Sequence, residues 1–286
     1  VIGVVTVTYN SADVLPDFIG SLLAQSSPFR LYAVDNASAD DSVDVIRRYD
    51  DARFVVLRQS ENRGIAVGNN VGIDRALVDG CDWVLLLNND TVFESDLLMR
   101  LVETAIDHDA GIVVPSIRYF DDPEDVWFES ARFDRWRGSV PVECPPRLPP
   151  DAVLIECAST CCALVRPEIF AAVGLMDERY FVYWDDTDFF YRADQAGVRI
   201  LLDPRIRILH KVSSLTGGGE SEFSQVERTK NRVIFIRKHH RRVTRWIGLT
   251  LTGVNAARLA VGGPSRRTRG TALAKAVIEG LRVPMP

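Results

Sequence analysis

The run Trp-Val-Leu-Leu-Leu at 83–87 stops abruptly at Asn88-Asn89-Asp90. Five consecutive apolar residues without polar alternation require an element covered on both faces, as a parallel strand inside an α/β sheet is. The pattern repeats: 1–7 ends in Thr8-Tyr9-Asn10, 31–34 in Asp35-Asn36-Ala37-Ser38, and 206–209 in His210. Asn and Asp favour turns, so one polar strand end says little by itself. Four of them describe one crevice, because open α/β sheets bind ligands at the carboxyl ends of their strands. Amide and carboxylate oxygens at that mouth suit a divalent cation, Mg²⁺ or Mn²⁺, holding a diphosphate.

Strands are predicted at 2–7, 31–34, 54–57, 83–87 and 112–114, and helices at 14–24, 41–49, 65–78 and 95–107. That alternation is the pattern of a doubly wound, Rossmann-like α/β sheet. Gly68 and Gly72, four residues apart on one helix, give a smooth stripe for close packing on the sheet or for approach to a ligand, packing being the preferred reading. Prolines at 123, 141, 145, 146, 149 and 150 make 119–150 read as an irregular surface excursion. A second half follows, with strands expected at 153–155, 163–165, 199–202 and 207–209 and helices at 167–173 and 187–195. The segment 213–222, with Gly217-Gly218-Gly219, has the composition of a mobile loop, expected either as a lid over bound diphosphate or as a linker. There is no internal repeat or low-complexity tract.

A chain of 286 residues, 47% hydrophobic and 26% charged, is long enough for a full core and is neither disordered nor collagen-like. Its five cysteines are an odd number without paired C-x-x-C spacing, which argues against a zinc site and for reduced thiols in the cytoplasm, with Cys161-Cys162 used in packing. The net charge of −5 hides an asymmetry: residues 225–286 carry 14 Lys/Arg against two acids, the remainder 20 against 37. Such a basic tail binds an anionic membrane or nucleic acid, forms a solvated face, or pairs with the acidic body. No aromatic-interleaved basic array is present, so nucleic acid is not expected and the membrane surface ranks first. No signal peptide is visible, and the missing initiator Met is expected to reflect trimming of the start.

Tyr183-Trp184-Asp185-Asp186-Thr187-Asp188 gathers three carboxylates at a strand-to-helix junction. Acids in a first helical turn are favoured as caps and by the macrodipole, which accounts for one or two of them. Crowding raises one carboxylate pKa while the helix end lowers it, and a group poised between those pulls is a candidate general base. His210 alone reads as structural; beside Asp90 it becomes a candidate Mn²⁺ ligand.

Taken in order, Thr8-Tyr9-Asn10, Asp35-Asn36-Ala37-Ser38, Glu61-Asn62-Arg63-Gly64 leading to Gly68-Asn69-Asn70, Asn88-Asn89-Asp90, Gly174-Leu175-Met176-Asp177 and Asp185-Asp186-Thr187-Asp188 resemble the family 2 glycosyltransferases, in their rhamnosyltransferase-like branch. The resemblance spans residues 1–240 and implies a GT-A-type fold and inverting transfer of a sugar from a nucleotide diphosphate donor. It divides the chain into a GT-A domain, 1–240, with a nucleotide-binding half (1–115) and an acceptor and catalytic half (151–240), and a basic amphipathic helical extension, 241–286. By the same resemblance Thr8, Tyr9, Asn10 and Asp35 hold base and ribose, with Arg63 beside the nucleotide, and Asn36, Gly64 and Asn69 belong to the donor-binding set. Asn88, Asn89 and Asp90 stand at the family's Asp-x-Asp motif; Asp90 and His210 ligate the metal. Asp186 is the base, with Asp185 and Asp188 in the same cluster. Two departures stand out: Asn88 replaces the commoner first Asp, losing a charge, and Asp185 replaces the usual Glu. The Gln-x-x-Arg-Trp signature of processive synthases is absent, which implies addition of one sugar per acceptor.

The expected partners are thus a dTDP- or UDP-sugar, rhamnose among the candidates, a glycan or lipid-linked glycan of the cell envelope, and the inner face of the membrane. The basic groups 237, 238, 241, 242 and 245 precede the apolar stretch 246–261, too short to span a bilayer and therefore expected to lie on it. The oligomeric state is not legible. A nicotinamide dehydrogenase is excluded because Thr8 to Asp13 contains no glycine, and a P-loop enzyme because the first lysine is Lys211. A sugar nucleotidyltransferase lacks its Gly-rich start and lysines here. The surviving alternative is a non-catalytic nucleotide-sugar-binding homologue or scaffold, suggested by Asn88.

Overall fold

β1 (Ile2–Thr8), buried along its length apart from Val7, runs through the middle of a mixed sheet. The computed structural model describes residues 1–140, 142–143, 151–212, 221–260 and 264–285. After β1 come α1 (Leu15–Leu23), β2 (Phe29–Asp35), α2 (Ser42–Arg47), β3 (Phe54–Arg58), α3 (Ile65–Val78), β4 (Trp83–Leu87), β5 (Thr91–Phe93), α4 (Leu97–Asp107) and β6 (Ile112–Tyr119). The second half holds β7 (Val126–Phe128), β8 (Ser130–Ala131), β9 (Val142–Glu143), β10 (Val153–Leu154), β11 (Cys162–Val165), α5 (Pro167–Val173), α6 (Asp185–Gln195) and β12 (Ile200–His210). Three helices close the chain: α7 (Glu222–His239), α8 (Arg242–Ala260) and α9 (Pro264–Arg282).

The sheet order is β10-β12-β6-β11-β4-β1-β2-β3, with β5 on β12 and β7 on β6. β1 pairs in parallel with both β2 and β4, and the chain reverses its direction of travel across the sheet there, which opens a crevice beyond Thr8 and Leu87. Side chains of α1, α2 and α4 pack on one face around Val4 and Leu85; those of α3, α5, α6 and α7 pack on the other around Val5 and Leu86. α1 shows why such helices form: Pro16 opens it, and Leu15, Phe18, Ile19 and Leu22 make one buried stripe.

On α3, Gly68 faces Val7 and Gly72 faces Val5 so closely that a Cβ at either position would collide with the valine. The glycine stripe is therefore a packing surface. Gly64, just before this helix, has φ 90°, and a side chain there would strike the backbone of Phe181.

Two expectations are corrected, and one strand is added. The described part of 119–150 is not a surface excursion: β7 pairs with β6, β8 with β9, and Glu129, Ala131 and Phe133 are buried. Val126 and Phe128 find the edge of β6, while most of the prolines lie farther on. The two strands expected at 199–202 and 207–209 are one strand, β12, whose register shifts between Asp203 and Arg207 around Pro204, which has no N–H to donate. β5, a short strand following Asp90, went unpredicted and pairs with the end of β12.

Cys81, Cys157, Cys161 and Cys162 are buried free thiols; Cys144 lies outside the described residues, as do 213–220 of the glycine-rich loop. The helices after β12 stack together, α9 against α7 and α8 against α9. No described helix is long and apolar enough to cross a membrane.

Candidate active site

Parallel pairing sets Thr8 level with Asp35, so the first two polar strand ends lie side by side. Asn36 N–H donates to Thr8 O (2.8 Å) and its Nδ2 to Gly64 O (2.9 Å), which draws the start of α3 against β2. Asn10, at φ 47°, accepts from Ala39 N (2.8 Å) and donates its own N–H to Ser38 Oγ (3.0 Å), tying together the loops after β1 and β2. Tyr9 is exposed at the mouth. Asp35 is buried; its Oδ1 accepts from Ser38 N (3.2 Å), and Arg58 approaches its Oδ2 at 3.7 Å. Among the described residues neither Asp35 Oδ2 nor Asn36 Oδ1 has a hydrogen-bond donor. Buried acceptors in that state are matched to the N–H and O–H groups of a ligand.

Asn89 holds the next strand end in place, its Nδ2 donating to Val7 O (3.0 Å) and Thr8 Oγ1 (3.3 Å). Asn88 is partly exposed; its N–H donates to Cys161 O (2.9 Å) and its carbonyl accepts from Thr91 Oγ1 (2.7 Å). Asp90 follows, buried, with Oδ1 3.1 Å from His210 Nε2. The edge of the His210 ring meets Trp127 at 4.3 Å between centroids, and its Nδ1 is buried without a described partner. A carboxylate and an imidazole in contact form two adjacent ligands of the kind Mn²⁺ accepts. Among the described residues no group of three or more His, Cys, Asp or Glu side chains could cage an ion. Two protein ligands suit a cation whose remaining positions are filled by phosphate oxygens and water.

Arg63 pairs at 3.5 Å with Glu178, both of them exposed, and Asn69 is buried on α3. Its neighbour Asn70 makes a reciprocal pair with the Met176 backbone, 2.9 Å each way, joining α3 to the segment before α6.

The three acids of α6 divide sharply. Burial, with Asp186 next to it, pushes the Asp185 carboxyl well up. Asp186 is partly exposed as a residue, yet burial of its carboxyl raises it too, although hydrogen bonds from Thr187 and the charge of Arg228 oppose the shift. Burial would raise Asp188 too, but the hydrogen bond with His239 and the charges of Lys238 and Arg192 hold it below the ordinary carboxylate range. Asp188 lies 2.8 Å from Arg192 Nε, 2.7 Å from His239 Nε2 and 2.9 Å from Lys238 Nζ, fully buried, so it joins α6 to α7 and does not open to the crevice. Burial pushes the Cys161 thiol well up, and the charges of Asp90, Cys162 and Asp186 add to the shift.

Sequence reasoning missed Trp127, Ser224, Arg228, Asn231, Lys238 and His239. Trp127 falls inside the stretch expected to be irregular, Arg228 and Lys238 enter the sequence reading only as tail charge, and His239 does not enter it.

A crevice at the strand ends of a mixed sheet, with an Asp–His pair at those ends and three acids in the first turn of α6, is the architecture of the GT-A fold. The solved mannosyltransferase PcManGT from Pyrobaculum calidifontis, in complex with GDP-Man and Mn²⁺, superposes with a TM-score of 0.61 at 17% identity, over 98% of this chain and 87% of that one. The family described as glycosyl transferase family 2 matches residues 3–174. The N-acetylglucosaminyl-diphospho-decaprenol L-rhamnosyltransferase of Mycobacterium tuberculosis H37Rv is 30% identical over 94% of this chain and 95% of its own length. The dTDP-rhamnosyl transferase RfbF of Shigella flexneri is 22% identical over 82% and 80%. The chain belongs to glycosyltransferase family 2, in its rhamnosyltransferase-like branch.

Proposed function

We propose that the protein moves one sugar, with inversion, from a dTDP- or UDP-sugar to a hydroxyl of a lipid-linked glycan in cell-envelope synthesis. The observation carrying this reading is the Asp90–His210 pair, 3.1 Å apart at the strand ends of a chain that belongs to glycosyltransferase family 2. Inversion needs a base on the acceptor side and charge neutralisation at the departing diphosphate opposite it. Asp186, partly exposed and with a raised affinity for protons, takes the proton from the acceptor hydroxyl. Asp35 and Asn36 accept from base and ribose, while Asn89 fixes the strand end against Thr8. Asp90 and His210 would hold a divalent cation, which when bound supplies positive charge to the diphosphate. The names of the relatives make dTDP-rhamnose and a polyprenyl-diphosphate-linked N-acetylglucosamine the first pair to try. Mass spectrometry of products from a panel of nucleotide sugars, with Mn²⁺ and with EDTA, is the test. Tight nucleotide binding with neither transfer nor donor hydrolysis would favour the non-catalytic reading that Asn88 suggests.

Attachment to the inner, cytoplasmic face of the membrane belongs to the same proposal. Trp246 (72% exposed) and Val243 (64%) stand out from the first turns of α8, beside exposed Arg241 and Arg242. A cavity of about 470 Å³ next to them is lined by Arg237, Lys238, Arg241, Arg245 and Met285. Apolar side chains beside basic ones suit an anionic lipid surface, each nearby charge adding about 1 kcal/mol. Co-sedimentation with anionic liposomes at low and high salt, with and without residues 241–286, is the check; no binding of the intact chain at low salt rejects attachment.

A further inference from the structure

We propose that Asn231 of α7 is the positioning residue for the base-bearing turn of α6, clamping the two residues that precede it in a backbone shape they would not otherwise keep. The proposal rests on the reading of Asp186 as base. Tyr183 and Trp184 have φ of 65° and 71°, two successive left-handed residues with bulky side chains. Such a conformation is costly for anything but glycine and persists only where its surroundings dictate it. It leads directly into the helix: Trp184 is the residue before α6, and its carbonyl accepts the N–H of Asp188 (2.8 Å).

Asn231 is fully buried, and its Nδ2 donates to Val182 O (2.8 Å) and to Tyr183 O (3.0 Å), the carbonyls on either side of the first left-handed residue. Its Oδ1 has no partner among the described residues, so the amide is there for its two donors. The same face of α7 supplies the rest of the grip. Ser224 Oγ lies 2.8 Å from Tyr183 OH, the Arg228 guanidinium sits 4.5 Å over the Tyr183 ring, and Phe235 packs against Trp184 at 5.1 Å between centroids. Residues 224, 228, 231 and 235 fall at the spacing of one helical stripe. On the other side the turn is fastened to the donor half, Ile65 N–H donating to Phe181 O (2.8 Å). Without the Asn231 donors the 183–184 backbone relaxes toward ordinary angles and carries the Asp186 carboxylate with it.

Asn231→Asp keeps the shape but removes both donors, and Asn231→Ser keeps one. Hydrogen exchange of amides 182–188, donor affinity and kcat are measured for both, alongside Asp186→Asn and the double variant Asn231→Asp/Asp186→Asn, after circular dichroism shows native folding. Faster exchange confined to 182–188, kcat down by about 10²-fold in Asn231→Asp and less in Asn231→Ser, and unchanged donor affinity are expected. The double variant should be no slower than Asp186→Asn, because the two residues act as a unit. Unchanged exchange, unchanged kcat or losses that multiply would overturn the clamp. Near-normal turnover of Asp186→Asn instead sinks the base assignment, and exchange and kcat of the Asn231 variants then decide the clamp by themselves. A variant that folds only as Asn231→Ser still reports through the same three readouts.

Discussion

His210 Nε2 meets Asp90 Oδ1 at 3.1 Å because Thr91 and His210 are partners in the β5–β12 ladder. A three-residue strand thus brings together a strand end from the first half of the chain and the last residue of the sheet. Asp90→Ala is expected to lower kcat/KM by 10² or more and to abolish the metal dependence of nucleotide binding, with His210→Ala affected in the same direction but less. Calorimetric titration of UDP and dTDP with Mn²⁺ and with EDTA reads this out. Full donor binding and turnover in EDTA would remove the metal from the mechanism.

Asp186→Asn should lose about 10² or more in kcat while nucleotide affinity stays put, as expected when a general base is removed without disturbing the donor site. Since burial raises this carboxyl, the acidic limb of the wild-type kcat profile should lie above the ordinary carboxylate range and vanish in the variant. A variant with an unaltered profile would shift the assignment away from Asp186.

Asp185 and Asp188 are expected to respond to pH with opposite sign. Asp188 is held low in the folded chain, so its contribution is present above the usual carboxylate pKa and fades as pH falls through its folded value. Asp185 is held high, so its contribution is present in acid and is lost as pH rises through its folded value. In urea melts at neutral pH, Asp185→Asn should be neutral or stabilising. Asp188→Ala should cost about 3–5 kcal/mol by taking the buried carboxylate away from the half-buried Arg192 and Lys238 and from His239, with Lys238 keeping Asp177. A small loss in Asp188→Ala would mean that water or Asp177 takes over as counter-ion.

Gly72→Ala tests the contact of α3 with β1. The added methyl would run into Val5, and overpacking of this kind costs about 1–3 kcal/mol. A drop in thermal midpoint with kcat retained well below it is expected; an unchanged midpoint would show that helix and sheet can separate freely.

Legibility in the sequence followed how locally each feature is specified. β4 and α3 appear where their apolar patterns place them, because a parallel strand buried on both faces and a helix started at Gly64 need no distant information. The second half was harder. Pro204 makes β12 look like two strands, since an interrupted hydrogen-bond ladder and a chain break leave the same local trace. At α6 the spacing of Asp185, Asp186 and Asp188 shows that carboxylates gather, but the division of labour among them is settled by Lys238 and His239, some fifty residues later. Asn231 left no trace at all, because its partners are two main-chain carbonyls and any sequence could supply those.

Arg237 donates to Gly280 O and Val283 O, both at 2.7 Å, and Arg179 donates to Pro284 O at 3.2 Å. The last turn of α9 is thereby laced to the helix that grips Asp188 and to the segment leading into α6. Removing residues 280–284 would take both of these acceptors from Arg237 and one from Arg179, which keeps Asp177. For this chain the end of α9 is part of the enzyme's chassis.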